Sequence, residues 1–332
     1  MADLYLVEPG TVAHKVGERV VVKRDERVLD DIPLVKIERV RVFGRGVTLT
    51  TALMDALMDR GIDTVFYGPG WRYRGRLLGP ESGHGALRVR QVQAATDSAR
   101  AFALARSVVR AKLVNQRFLL RRHGARLPAA QAAMAGIKRM LARVDDAPPL
   151  DVLRGLEGQA AATYFGGFRR LLRRDLGFAR RAQHPSPDPV NALLSFCYTL
   201  LLNDIIASLH LVGLDPYIGF FHTLVHNRPA LALDLEEEFR PVLADTLVLA
   251  LLNDGALGLG DFRASEDPMR PVMLGEAGLA VVLRRYGERL ETGVRYPATG
   301  ERTTYRRILE LQARALARAF DEGGAYRGFE AQ

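Results

Sequence analysis

Three stretches of this 332-residue chain set side chains with catalytic or ligating chemistry at helical spacings. In the first, LEGQAAATYF, residues Glu157, Ala161 and Tyr164 fall at i, i+4 and i+7. On a helix, a carboxylate and a phenol then share one face with a small residue between them, and a substrate can approach that face. Taken alone, the pattern also suits an exposed glutamate on an amphipathic helix. In the second, DPVNALLSFCYTLL, residues Asn191, Ser195 and Tyr198 form a polar stripe on a helix too apolar for the surface. Buried polar groups need partners, so the stripe is either glue between helices or a layer that orients ligands. In the third, GFFHTLVHNRPALALDLEEEFRP, His222 and His226 have the spacing of a zinc helix, but Thr223 stands where HExxH has its glutamate, which disfavours a metalloprotease. Asp234 and Glu237 share a helix face three residues apart, and the same pair also spells a capping box with Asp234 at N-cap and Glu237 at N3. Pro241 interrupts that helix with a missing hydrogen bond and a bend.

Glu157, His222 and Glu237 together supply two carboxylates and an imidazole from three segments. An oxygen-rich set with one imidazole suits Mg²⁺ or Mn²⁺, hard cations that act on phosphodiesters, better than it suits soft-metal redox work. No Walker A sequence, no GxGxxG after a strand and no GxSxG elbow is present, and GPG at 68–70 reads as a turn. ATPase, dehydrogenase and hydrolase-fold readings therefore drop out. The single cysteine, Cys197, excludes an internal disulfide or a thiolate cluster.

The elements that must position these residues divide in two. Residues 1–92 read as a small, mostly β, sandwich-like domain. LYLVEP, the stretch from Glu18 to Lys23, VKIERVRVFG, TVFYGPG and WRYRGRLL are short strand patterns, with a bulge or break near Glu38. Thr51 to Arg60 is a short amphipathic helix closed by Gly61 as a C′ residue. Residues 93–332 read as a larger, all-helical domain that carries the active site, making an α+β two-domain protein. Phe102, Ala105, Val109, Leu113, Gln116 and Leu120 recur at helical spacing, while Arg106, Arg110, Arg117 and Arg121 line another face. PAAQAAMAGIKRMLARV follows as a helix, then Leu150 to Leu172 after the Ala147-Pro148-Pro149 break. Asp188 as N-cap and Pro189 open a helix to about Leu211, with Gly213 to Gly219 as its exit. Helical patterns also cover Glu236 to Asn253, Glu276 to Glu291 and Thr304 to Phe320, with no strand signal strong enough for a sheet.

At 48% apolar and 26% charged, the chain has globular composition. The start, MADLYLVEPG, lacks a charged n-region with an apolar h-region, and apolar runs such as Thr246 to Leu252 are shorter than the roughly 20 residues of a membrane span. The expectation is a cytoplasmic protein with no membrane segment. The net charge of +9 is unevenly placed: residues 100–181 hold 18 basic and 5 acidic residues, against 14 and 20 in residues 182–332. A basic block beside an acidic one suits a protein that holds a polyanion on one surface and gathers carboxylates on another, although Arg-rich helices also solvate their outer faces this way. Arg106, Arg110, Arg117, Arg121 and Arg122 are the expected backbone-binding residues on the first reading.

The order EGQAAATYF, PSPDPVNALLSFCYTLL, GLDPYIGFFH, RPALALDLEEEFRP resembles the CRISPR-associated integrase family, the Cas-one (Cas1) proteins that insert new spacers. ARSVVRAKLVNQRFLLRR is similar to that family's A…K…NQR helix, here Ala105, Lys112, Asn115, Gln116 and Arg117. The resemblance spans nearly the whole chain and rests on four ordered motifs. It implies an N-terminal β domain joined to a helical domain, and metal ligation by Glu157, His222 and Glu237. It matches Asp234 to the acid preceding the last ligand, and Tyr164, Asn191 and Ser195 to positions bordering the site. Its implied chemistry is Mg²⁺- or Mn²⁺-assisted transesterification, in which the 3′-hydroxyl of a donor duplex attacks a phosphodiester at the CRISPR repeat. Its implied partners are double-stranded DNA, a second copy of the chain and a small Cas-two (Cas2) protein. A metal-dependent nuclease without integrase activity and a non-catalytic helical DNA-binding scaffold are the two alternatives. His226 and the tail GGAYRGFEAQ receive no role.

Overall fold

Short β-branched strands build the first unit, residues 1–83. The computed structural model describes residues 2–68, 73–79, 84–146, 149–182, 185–268 and 270–332. One sheet has the order β1 (Ala2–Leu6), β5 (Ile37–Phe43), β7 (Asp63–Tyr67), β8 (Tyr73–Leu77), with β8 antiparallel to three parallel strands. The other has the order β4 (Arg27–Pro33), β3 (Arg19–Arg24), β2 (Val12–Val16), β6 (Thr48–Leu49). Leu4, Leu6, Val40 and Val42 from the first sheet share one core with Ala13, Val20 and Val22 from the second. Leu53 and Leu57 of α1 (Thr51–Asp59) join it. Ala2 pairs with Ile37 but Asp3 with Arg39, so Glu38 is bulged out where the broken alternation of β5 places an irregularity. Gly61, at φ +61°, closes α1 in the left-handed conformation expected of it. Trp71 and Arg72 of the expected returning strand, and Pro69 and Gly70 of the expected turn, lie outside the described residues. β2, β4 and β6 carry no readable signal, β4 because most of its side chains are exposed and nothing enforces alternation.

The second unit, residues 84–332, is mainly helical: α2 (Gly85–Thr96), α3 (Ser98–Gly124), α4 (Pro128–Asp145), α5 (Leu150–Arg169), α6 (Pro189–Leu211), α7 (Ala230–Phe239), α8 (Thr246–Asn253), α9 (Glu276–Leu290) and α10 (Tyr305–Glu322). The unit begins ahead of residue 93, and the expected 92/93 boundary falls within α2. It is not purely helical. Two hairpins, β9 (Phe262–Ala264) with β10 (Val272–Leu274) and β11 (Gly293–Arg295) with β12 (Arg302–Thr304), sit among the late helices. Three-residue strands are too short for a period of two to show in sequence.

α3 packs against α4, α5 and α7 and is buried on most sides, so its arginine face is only partly a solvent face. Arg106, Arg110 and Arg117 are half-buried, whereas Arg121 and Arg122 are exposed. Arg110 is already ion-paired with Asp145 and Glu330. Ala147 and Pro148 of the expected break lie outside the described residues, and Pro149 caps α5. α6 opens as its sequence dictates, with Asp188 accepting from the Asn191 amide at 2.9 Å and Pro189 in the first turn. At 23 residues α6 is also long and apolar enough to cross a membrane, contrary to the reading of the apolar runs, but 67% of its most apolar window is buried inside the chain. Its polar stripe interrupts the run and hides its overall hydropathy.

The carboxylate-bearing helix starts earlier than its pattern indicates, at Ala230 rather than Glu236. Asp234 is therefore an interior helical residue and Pro229 the N-cap, which rules out the capping box. Pro241 lacks the N–H that an α-helix would return to the Glu237 carbonyl, and the helix passes through it by widening into a π-helical turn over Arg240–Asp245 before continuing as α8. Thr246 Oγ1 donates to the Pro241 carbonyl at 2.9 Å across the widened turn.

The tail that had no assigned role packs as a strap behind α7. Glu238 Oε1 accepts from the Tyr326 hydroxyl at 2.7 Å, and Oε2 from the Phe329 amide at 2.8 Å and from Gln312 at 2.9 Å. Asn115 of α3 donates to the carbonyls of Glu238 and Phe329 and accepts from the Ala331 amide. Phe329 stacks on Phe239, with ring centroids 5.4 Å apart. Phe329→Ala should cost about 3 kcal/mol of unfolding free energy in a urea titration, because it empties a buried aromatic site whose backbone remains pinned. A loss under about 1 kcal/mol would mean that the strap packs too loosely to support α7.

Candidate active site

Five segments deliver the ionisable side chains to one cavity of about 350 Å³. α3 supplies Lys112, α5 Glu157, the segment before α6 Arg181, α6 Tyr198, and the α7 end with its π-helical turn Glu237 and Arg240. Ala161 and Tyr164 also line it, so the i, i+4, i+7 face of α5 is a cavity wall as its sequence indicates. Ala161 leaves the space that a larger residue would fill.

Both predicted carboxylates close on one cation, the ammonium of Lys112. Glu157 Oε1 pairs with Nζ, and Glu237 Oε2 lies 2.5 Å from it. Burial works against a charged lysine, but the carboxylates of Glu237 and Glu157 outweigh it and raise the Lys112 pKa. Burial would likewise favour a neutral Glu237, yet Arg240, Lys112 and His222 outweigh it and bring this carboxyl to about 2. Arg240 pairs with Glu237 and, at 2.7 Å, with Glu236. Glu236 is pushed up to about 7, chiefly by burial.

His222 lies in the loop after α6, its Nε2 3.9 Å from Glu237 Oε1. Asp234 holds it there. Its Oδ1 is 2.7 Å from His222 Nδ1 and accepts from the His222 amide at 2.8 Å. Its Oδ2 accepts from the Phe220 and Phe221 amides at 2.8 and 3.1 Å. Gly219 permits this approach, since a Cβ there would stand 2.6 Å from both Asp234 Oδ2 and the Ala230 carbonyl carbon. Nδ1 is thus engaged by a fully buried carboxylate, and Nε2 is the ring nitrogen left on the side of Glu237. His226 is exposed in the same loop and shares no helix with His222.

The donor chemistry of Glu157, Glu237 and His222 Nε2 fits a hard divalent cation. Among the described residues no three acidic, imidazole or thiol side chains are gathered closely enough to hold an ion, and the Lys112 ammonium bridges the two carboxylates. An ion seated between them must displace that ammonium.

Tyr164 and Tyr198 donate to the two oxygens of Asp245, at 2.7 and 2.6 Å. Burial lifts the Asp245 carboxyl to about 6, although both phenols oppose the shift. The folded chain thus holds a proton that an unfolded aspartate releases near pH 4, so this group's stabilising contribution falls as pH rises from about 4 to about 6 and is constant above that. Melting curves of wild type and Asp245→Asn across pH 4 to 8 should show the variant gaining relative to wild type through that window and tracking it in parallel above. A constant difference at all pH values would disprove the raised pKa.

Asn191 and Ser195 do not touch the ligand set. Both bind the guanidinium of Arg181, through Asn191 Oδ1 at 3.0 Å and Ser195 Oγ at 3.0 Å. Arg181, Arg240 and Asp245 escaped sequence reasoning because nothing in their local pattern marks them, and Lys112 was singled out only through a family motif.

The Cas1 family model, described as CRISPR associated protein Cas1, matches residues 4–288. The CRISPR-associated endonuclease Cas1 3 of Thermus thermophilus is 36% identical over 317 residues, covering 95% of this chain and 92% of that protein. The CRISPR-associated endonuclease Cas1 2 of Rhodospirillum rubrum is 38% identical over 331 residues, covering 95% and 94%. Among solved structures, a casposase bound to its integration product shares the fold at a TM-score of 0.83 and 22% identity, over 99% of this chain and 93% of that one. A CAS1 protein from Thermotoga maritima does so at 0.81 and 21%, over 97% of each chain. The two carboxylates and the aspartate-held histidine thus lie within the residues that match this family, and the chain belongs to the CRISPR-associated Cas1 endonuclease family.

Proposed function

We propose that this chain is a metal-dependent DNA endonuclease and integrase that inserts new spacers into a CRISPR array by transesterification. The observation that carries the reading is the convergence of Glu157 and Glu237, from two helices, on one cation position, with His222, held by Asp234, placing Nε2 3.9 Å from Glu237 Oε1. Mg²⁺ or Mn²⁺ held by Glu157, His222 and Glu237 would polarise a phosphoryl oxygen and offset charge on the attacking and leaving oxygens. Arg240 keeps Glu237 ionised for that role, and Asp234 fixes the His222 ring through Nδ1, leaving Nε2 for ligation. In the reaction a donor 3′-hydroxyl forms a new P–O bond at the repeat boundary, its proton is lost, and the displaced 3′-oxygen leaves as a hydroxyl. With water as the nucleophile the same chemistry cuts DNA.

The proposed partners are double-stranded DNA, a second copy of the chain through its β unit, and Cas2, in the prokaryotic cytoplasm. Solved structures similar in fold include a Cas6-RT-Cas1–Cas2 complex and a TtCas1–DNA complex, which supports the Cas2 and DNA assignments. Arg121 and Arg122, exposed at the end of α3, are the best placed of the five arginines for the DNA backbone, with half-buried Arg117 about one turn before them, Arg106 further back on the helix and Arg110 engaged by acids. The test is joining of a labelled donor duplex to a repeat-containing supercoiled plasmid, with purified chain and Cas2, in Mg²⁺, Mn²⁺ or EDTA. Metal-dependent joined product supports the reading. Nicks without joined product would establish a nuclease only, and binding with no cleavage in any metal would establish a scaffold.

A further inference from the structure

We propose that Arg181 is a further substrate-positioning residue, its guanidinium seating one phosphate of the DNA backbone inside the Glu157–Glu237 cavity. The proposal rests on the integrase reading and specifies where its substrate is gripped.

The three cations lining the cavity differ in how they are neutralised. Lys112 is paired with Glu157 and Glu237, and Arg240 with Glu236 and Glu237. Arg181 has no carboxylate within ion-pairing distance among the described residues. Its hydrogen bonds go to neutral oxygens: the Ala182 carbonyl at 2.7 Å, the Asn191 carbonyl at 3.5 Å, Asn191 Oδ1 at 3.0 Å and Ser195 Oγ at 3.0 Å. Burial pulls the pKa of this guanidinium down and outweighs the carboxylates of Asp245 and Asp188, which act on it only from beyond contact, so a largely desolvated cation with no carboxylate against it is costly. A phosphate entering the cavity supplies an anion in direct contact, and its oxygens match the planar fork of the guanidinium.

The side chain is also fixed in place. Asn191 is itself held by Asp188 Oδ2 at 2.6 Å and by the Arg180 carbonyl at 2.9 Å. The Arg181 guanidinium carbon lies 5.2 Å from the centre of the Tyr198 ring. All three members of the α6 polar stripe therefore touch one guanidinium, which gives that stripe a purpose beyond helix packing. The bracket does not depend on Arg181 for its own satisfaction. Asn191 Oδ1 also accepts from the Ala182 amide at 2.8 Å, and Ser195 Oγ lies 3.2 Å from Ser186 Oγ. Removing the guanidinium orphans neither acceptor, so its role is directed at a ligand and not at the fold.

The deciding experiment compares wild type, Arg181→Ala and Arg181→Lys with Cas2 in single-turnover joining at saturating DNA, with melting temperatures measured in parallel. Arg181→Ala should join about 10²-fold more slowly while melting within about 2 °C of wild type. Millimolar guanidinium ion, below denaturing levels, should restore several-fold of the lost rate in Arg181→Ala, while equal sodium chloride should not. Arg181→Lys should fall between the two. Joining by Arg181→Ala within threefold of an active wild type overturns the proposal. So does a melting loss above about 5 °C with no guanidinium rescue, which would make Arg181 a structural bracket. A wild type that neither joins nor cuts DNA overturns the integrase reading itself, and the Arg181 assignment with it.

Discussion

Glu157→Ala should lose joining and cutting together, by about 10³-fold or more, while its affinity for DNA stays level or rises. The two activities fall together because attack by a 3′-hydroxyl and attack by water need the same stabilised phosphoryl centre. Affinity is spared because Glu157 is a negative charge in a cavity that also holds Lys112, Arg181 and Arg240. Removing it leaves Lys112 paired only with Glu237 and makes the cavity more attractive to phosphate. Glu157→Gln keeps the volume and should behave the same way, which separates loss of charge from loss of packing. The check is a joining and nicking time course beside a filter-binding titration at fixed salt. Normal integration by either variant in Mg²⁺ would remove Glu157 from the ligand set. Equal loss of binding and joining would instead make it a DNA-contact or folding residue.

Asp234→Ala should be the most destabilising single change in the site, at about 4 to 6 kcal/mol, and should abolish joining in whatever fraction folds. Asp234 is fully buried and receives three backbone amides and the His222 ring. Truncation leaves those three amides without an acceptor, each a desolvation cost of about 1 to 3 kcal/mol, and frees the loop that carries His222. Asp234→Asn should cost less, because an amide oxygen still accepts, but its NH₂ group must face one of the same donors. The measurement is a denaturant titration with joining assayed on the native fraction. A loss below about 1.5 kcal/mol would show that the 219–222 loop is held by other contacts. Wild-type joining by Asp234→Asn would show that His222 needs no orienting carboxylate.

Much of the fold was legible wherever periodicity or a cap is local. The apolar spacing of α3, the Asp188–Pro189 start of α6, the bulge at Glu38 and the Gly61 closure of α1 each depend on residues a few positions apart, and each appears in the structure. Elements whose identity depends on distant partners were not legible. The exposed strand β4 has no face to alternate, and the three-residue hairpins of the helical unit exist only because neighbouring helices place their strands side by side. The start of α7 was misplaced because ALALD has no distinctive period, and with it the role of Asp234 was misjudged.

The sequence by itself determined the chemical inventory: two carboxylates and a histidine at helical or loop positions, a basic block, and a motif order resembling one family. The tertiary structure decided how that inventory is wired. It made Asp234 the holder of His222 and not a helix cap, because the helix begins a turn earlier and the Gly219 loop folds back onto it. It put the Lys112 ammonium between Glu157 and Glu237, and it turned the α6 stripe toward Arg181. Helical spacing says which side chains share a face of one element, but a charge acquires its partner only when separate elements pack. Lys112 and Glu237 are 125 positions apart, and only packing sets which ions share a cavity and which one is left without a carboxylate in contact.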